Sequence, residues 1–122
     1  MTHQEFERLV EQTLSELPAD LHRHIANVAF VVEELADDET LDLADVDDPY
    51  DLFGFYHGIP LTERTHDYGL VLPDKISIYR QPILREGRTD SEISELIRRT
   101  VRHEIAHYFG IDDERLEELG AY

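Results

Sequence analysis

The chain has 122 residues, 28 acidic and 11 basic, for a formal net charge of −17 at pH 7. That length suits a single domain, residues 1–122, with one core and no room for a second. The sequence has no cysteine, which excludes disulfides and thiolate metal ligands, so any bound metal must rely on histidine and carboxylate. An acid excess of this size repels nucleic acid and anionic lipid, and neither is expected as a partner.

Taken in chain order, residues 2–17 read as an amphipathic helix. Thr2 and Glu5 have capping-box spacing, Phe6, Leu9, Val10, Leu14 and Leu17 fall on one face, and Pro18 stops it. This charged start lacks the apolar segment of a signal peptide. No later apolar run approaches membrane-spanning length. A cytoplasmic, non-membrane protein is expected, with a monomer as the default state. Residues 19–25 suggest a polar helical turn that leaves His22 and His24 at the surface.

Residues 26–33, ANVAFVVE, make the strongest strand signal, and the near-continuous apolar run predicts a central strand covered on both faces. Residues 33–51 then carry ten acids and no lysine or arginine. They lack the ordered acid spacing of an EF-hand, and a solvated loop is expected. Residues 51–59 resume strand character, with Gly54 and Gly58 suggesting a bulge or a close backbone approach. His57 in this stretch is a candidate extra ligand or transition-state donor, beside the plainer reading of a strand-end histidine. Pro73-Asp74 is a turn signal. Ile76, Ile78 and Tyr79 belong to a following strand, ended by Gln81-Pro82, which could align an extended peptide as the sheet edge. A last long helix begins near Asp90 or Ser91, both good N-caps, and buries Ile93, Leu96, Ile97, Val101, Ile105 and Tyr108.

That helix carries His103-Glu104-Ile105-Ala106-His107. Residues four apart lie on one helix face, so both imidazoles can turn toward one ion. Glu104 then lies beside the metal rather than on it, placed to take a proton from water. Gly110 can adopt the left-handed conformation that ends a helix. The reversed chain could then present Asp113 as a third ligand and leave a position open, as catalytic zinc sites do. Glu117 and Glu118 are alternatives for the same role. In a shuffled chain of this composition HExxH arises by chance about 5% of the time, and on the order of 0.03% once Gly110 and Asp113 are required.

The HExxHxxGxxD pattern resembles the zincin metallopeptidases, near their metzincin branch, with aspartate in place of the usual third histidine. More closely, the chain resembles the small bacterial zincin-like metallopeptidases. The likeness runs through NVAFVVEE, GFYHGIPLTER, LPDKISIYRQPILR and HEIAHYFGIDDERLEELG. It implies an α+β minimal zincin fold: a small mixed sheet packed on the motif helix, with N- and C-terminal helices, the latter over residues 113–119. It further implies His103, His107 and Asp113 as ligands of one Zn²⁺ and Glu104 as general base. The only methionine is Met1, so the methionine turn of metzincins is not expected.

The expected function is zinc-dependent hydrolysis of a peptide or protein substrate. Tyr108, Tyr122, His57 and Arg80 are candidate oxyanion donors. The competing expectations are a non-peptidase metal hydrolase and a zincin-fold binding or regulatory module without turnover.

Overall fold

A computed structural model describes residues 1–58 and 74–110. Helix α1 (His3–Ser15) is capped by Thr2, whose hydroxyl accepts from the Glu5 amide at 3.1 Å. It sends Phe6 and Val10 into the core. Helix α2 (Ala19–His24) is the expected polar turn. Strand β1 (Val28–Glu33) follows, then helix α3 (Asp38–Ala44) and a 3-10 turn at Pro49–Asp51. Strands β2 (Gly54–His57) and β3 (Asp74–Tyr79) complete the sheet, and helices α4 (Arg80–Glu86) and α5 (Asp90–Tyr108) close the described chain. Among the described residues no helix is long and apolar enough to cross a membrane.

The sheet order is β1-β3-β2, with β3 parallel to β1 and antiparallel to β2. Two expectations are corrected here. β3, not β1, is central, and the segment 75–79 is therefore not an edge. The reason lies in alternation along β3, where successive side chains face opposite sides of the sheet. Ile76 and Ile78 enter the main core, while Ser77 and Tyr79 are equally buried on the other face. β1 is covered mainly on one side. Val28 is buried and Phe30 and Val32 pack on the core, whereas Ala29 is exposed.

On the main core face, Ile76 and Ile78 join Ile97, Val101 and Ile105 of α5 and Phe6 and Val10 of α1. Removing each such aliphatic side chain from water contributes about 1.5–3 kcal/mol. The opposite face is covered by a smaller cluster of Ala36, Leu41 and Tyr79, with Val46, Leu52 and Phe55 against it.

That second cluster explains why the acidic stretch is not simply a loop. Asp37 caps α3 by accepting from the Thr40 amide at 2.8 Å. Asp38 and Glu39 sit in its first turn, where negative charge complements the helix dipole. Leu41 supplies the anchor on the sheet. Helix α4 was likewise unforeseen. Pro82 falls in its first turn, where a missing N–H costs nothing, so Gln81-Pro82 marks a strand-to-helix switch.

Helix α5 is capped one residue before the expected position. Thr89 accepts from the Glu92 amide, and the Glu92 carboxylate accepts from the Thr89 amide, each at 3.1 Å. The expected buried stripe is present. Leu96 is only half-buried, while Thr100 and Glu104 are buried with it. The helix ends at Tyr108, and Gly110 takes the left-handed conformation with φ +82°, as its sequence position implied. The expected C-terminal helix lies outside the described residues.

Candidate metal centre

The last two turns of α5 bring three side chains to one point. One donor atom from each of His103, Glu104 and His107 lies within 4.8 Å of the other two. The imidazole centroids are 4.4 Å apart with ring planes at 72°, the consequence of their four-residue spacing. His107 Nδ1 lies 3.2 Å from Glu104 Oε1, a hydrogen bond in which the imidazole N–H donates to the carboxylate. The histidines are half-buried, and Glu104 is only 4% exposed.

Glu104 is buried because β2 lies directly on it. Gly54 opens that strand, and a Cβ placed there would meet Thr100 Cγ2 at 2.6 Å, the Ser77 carbonyl oxygen at 3.0 Å and Glu104 Cγ at 3.2 Å. A hydrogen atom is the only substituent that lets the strand backbone approach this closely. Farther along the strand, the Tyr56 and Tyr108 rings meet edge to face at 5.7 Å. The histidine pair thus lies along the helix flank beside a strand held over the glutamate.

The donor set fits a divalent cation. Paired imidazoles on one helix face suit zinc, which takes nitrogen and oxygen ligands at about 2.0–2.2 Å, and the Glu104 carboxylate is held beside them.

The other candidates are placed as follows. Asp113, Glu117, Glu118 and Tyr122 lie outside the described residues. His57 projects from the sheet face opposite Gly54 and Tyr56, with Nε2 3.2 Å from Ser77 Oγ and its ring edge-on to Phe55 at 4.9 Å. Burial, and then the nearby Lys75 ammonium, lower its pKa from the usual 6.5. Arg80 pairs with Glu34 at 2.7 Å and also donates to the Met1 carbonyl. The Tyr108 hydroxyl donates to the His24 carbonyl at 3.2 Å, which ties the end of α5 to α2. His24 is exposed, with Nδ1 2.7 Å from the Asp20 carbonyl oxygen.

Thr100 and Gly54 were not foreseen as parts of this centre. The glycine was legible as a close backbone approach, but nothing in the sequence named the helix turn it would approach.

The family model described as zincin-like metallopeptidase matches residues 25–121. The chain belongs to the zincin-like metallopeptidase family. Membership accounts for a metal-ready pair of histidines on a helix beneath a small mixed sheet. A solved structure, a conserved hypothetical protein from T. thermophilus, is 24% identical and aligns with a TM-score of 0.56 over 98% of this chain and 97% of that one. At that identity the likeness supports a shared fold alone. No curated protein matches the chain.

Proposed function

We propose that this protein is a single-domain zinc peptidase in which His103 and His107 hold the ion and Asp113 completes the ligand set. The observation that carries this reading is the convergence of His103, Glu104 and His107 within 4.8 Å in a chain of this family. When bound, the ion supplies a Lewis acid that polarises water and the scissile carbonyl.

The chain's own residues divide the remaining work. Glu104 is the general base. Its carboxylate accepts the proton of the attacking water and returns it to the amine that leaves. His107 holds that carboxylate through the 3.2 Å contact at Oε1. Burial beneath Gly54 limits the carboxylate's rotation. The acid-rich surface disfavours nucleic acid and anionic membranes as alternatives.

The test is hydrolysis of a peptide library by the zinc-loaded protein beside the Glu104→Gln variant. Cleavage by the parent, abolished in the variant with zinc stoichiometry unchanged, is the expected result. Zinc retained by both with no cleavage by either would replace the peptidase with a binding module. Cleavage surviving in the variant would remove Glu104 from the role of base.

A further inference from the structure

A second concave site lies on the sheet face turned away from α5. It is a cavity of about 250 Å³ under α3, walled by residues of β1, β2, β3 and α3. This is small beside the roughly 300–1,000 Å³ of pockets that enclose whole small molecules. It matches the size of one long side chain.

Four observations describe what would fill it. Glu33, Asp37 and Glu39 bring three carboxylates to the lining, against the single ammonium of Lys75. Lys75 Nζ stands 4.0 Å from Glu33 Oε2 and offsets one of them. His57, the other basic residue here, has its pKa lowered by burial and by Lys75, so it adds no compensating charge at neutral pH.

The inner wall is polar but closed. Tyr79 is 1% exposed, and Ser77 behind it is fully buried between His57 Nε2 and the Glu33 carboxylate. Burial pushes the Tyr79 hydroxyl up to about 12, so it stays neutral, and its hydrogen bonds with Ser77 and Thr40 close this wall. Finally, Leu35 and Leu43 are the exposed large hydrophobic residues among those described, and both line this cavity. Exposed apolar side chains that gather at one concavity mark a contact surface rather than chance scatter. Perturbed titrating groups in the same concavity point the same way.

We propose that this cavity binds a basic side chain, arginine or lysine, of a polypeptide. Its alkyl stem lies against Leu35 and Leu43, and its cationic head sits among Glu33, Asp37 and Glu39. An apolar stem carrying a terminal cation satisfies both halves of the lining, whereas a bare metal ion leaves the leucines uncovered. Among the described residues, the metal-ready grouping is the one on α5 and not this one. The site is independent of the metal centre, so it stands or falls without reference to hydrolysis.

The test is an NMR titration of the ¹⁵N-labelled full chain, without added metal, using the peptide acetyl-Ala-Arg-Ala-amide. Its citrulline analogue has the same shape without the charge, and spermidine serves as a free polyamine. The arginine peptide is expected to give saturable shifts in residues 33–43 and 75–79, and the citrulline peptide none. Glu39→Gln, at an exposed position, is expected to weaken binding by about threefold, the scale of one partly solvated charge pair. Glu33→Gln, Asp37→Asn and Glu39→Gln together are expected to remove it. Equal binding of the citrulline peptide would overturn the proposal. So would shifts confined to His103 and His107, spermidine binding without peptide binding, or unchanged affinity in Glu39→Gln.

Discussion

Gly54 rests against the turn of α5 that carries Glu104, where a Cβ would stand 3.2 Å from Glu104 Cγ and collide with Thr100 Cγ2 at 2.6 Å. The glycine therefore sets how deeply the carboxylate is enclosed. Its substitution acts on chemistry and packing together. Gly54→Ala forces β2 away from Thr100 and Glu104, and overpacking of this kind costs about 1–3 kcal/mol. Thermal unfolding should register that loss. Zinc affinity, which in the proposed ligand set does not involve Glu104, should change far less than peptide hydrolysis does.

The proposed metal ligands make a sharper prediction. A ligand that binds only the folded chain stabilises it by about 2.7 kcal/mol at one hundred times its Kd. Zinc should raise the melting temperature of the parent, and a chelator should reverse the rise. His103→Ala and His107→Ala should each abolish it while melting close to the metal-free parent. The same measurement on Asp113→Ala tests the third ligand. An undiminished zinc response there would reassign the position to Glu117 or Glu118.

Core packing predicts a separate loss. Ile97 is fully buried in the main core, in one cluster with Ile76, Ile78 and Phe6, and truncating such a residue to alanine costs about 2–5 kcal/mol. Urea unfolding of Ile97→Ala should show the midpoint fall with little change in slope. Ile78→Ala on the central strand should behave alike.

The capping box of α5 predicts a smaller effect. Thr89→Ala removes the acceptor for the Glu92 amide and should cost about 1 kcal/mol. Thr89→Ser keeps the hydroxyl and should restore most of it. An alanine variant as stable as the parent would show that the cap contributes nothing measurable.

His57 makes stability depend on pH in a defined direction. Its folded pKa lies below the ordinary 6.5, so the unfolded chain takes up the proton first as pH falls. Its contribution is complete above about 6.5 and is lost as pH drops through the lowered folded value. Urea midpoints at pH 7.5 and 5.5 should therefore differ more for the parent than for His57→Gln. Equal differences would show that His57 is not destabilised by charging in the folded state.

How far the sequence disclosed this molecule depended on whether a signal was local. The α5 stripe, the paired imidazoles and the Gly110 stop follow from helical spacing and glycine's freedom at positive φ, and each appears where expected. The order of the strands does not. Residues 26–33 are more apolar than residues 74–79, yet the latter are central, with Tyr79 packed on Leu41 of α3, an element whose acids disguised it as loop, and Ser77 enclosed by His57 and Glu33. Helix α4 was hidden similarly. Pro82 reads as a terminator unless one knows that the helix begins only two residues earlier. The proximity of Gly54 to Glu104 is a tertiary fact with no counterpart in spacing. The location of Asp113 lies outside the described residues.

The parallel pairing of β1 with β3 joins Val28 to Asp74 across more than a third of the chain, whereas His103 and His107 are separated by a single helical turn. Closing long loops is the slow part of assembly, and local helix formation is fast. Alignment of the two imidazoles depends on one helix alone, whereas enclosure of Glu104 also depends on long-range pairing of the sheet, so the two are set by contacts of different range.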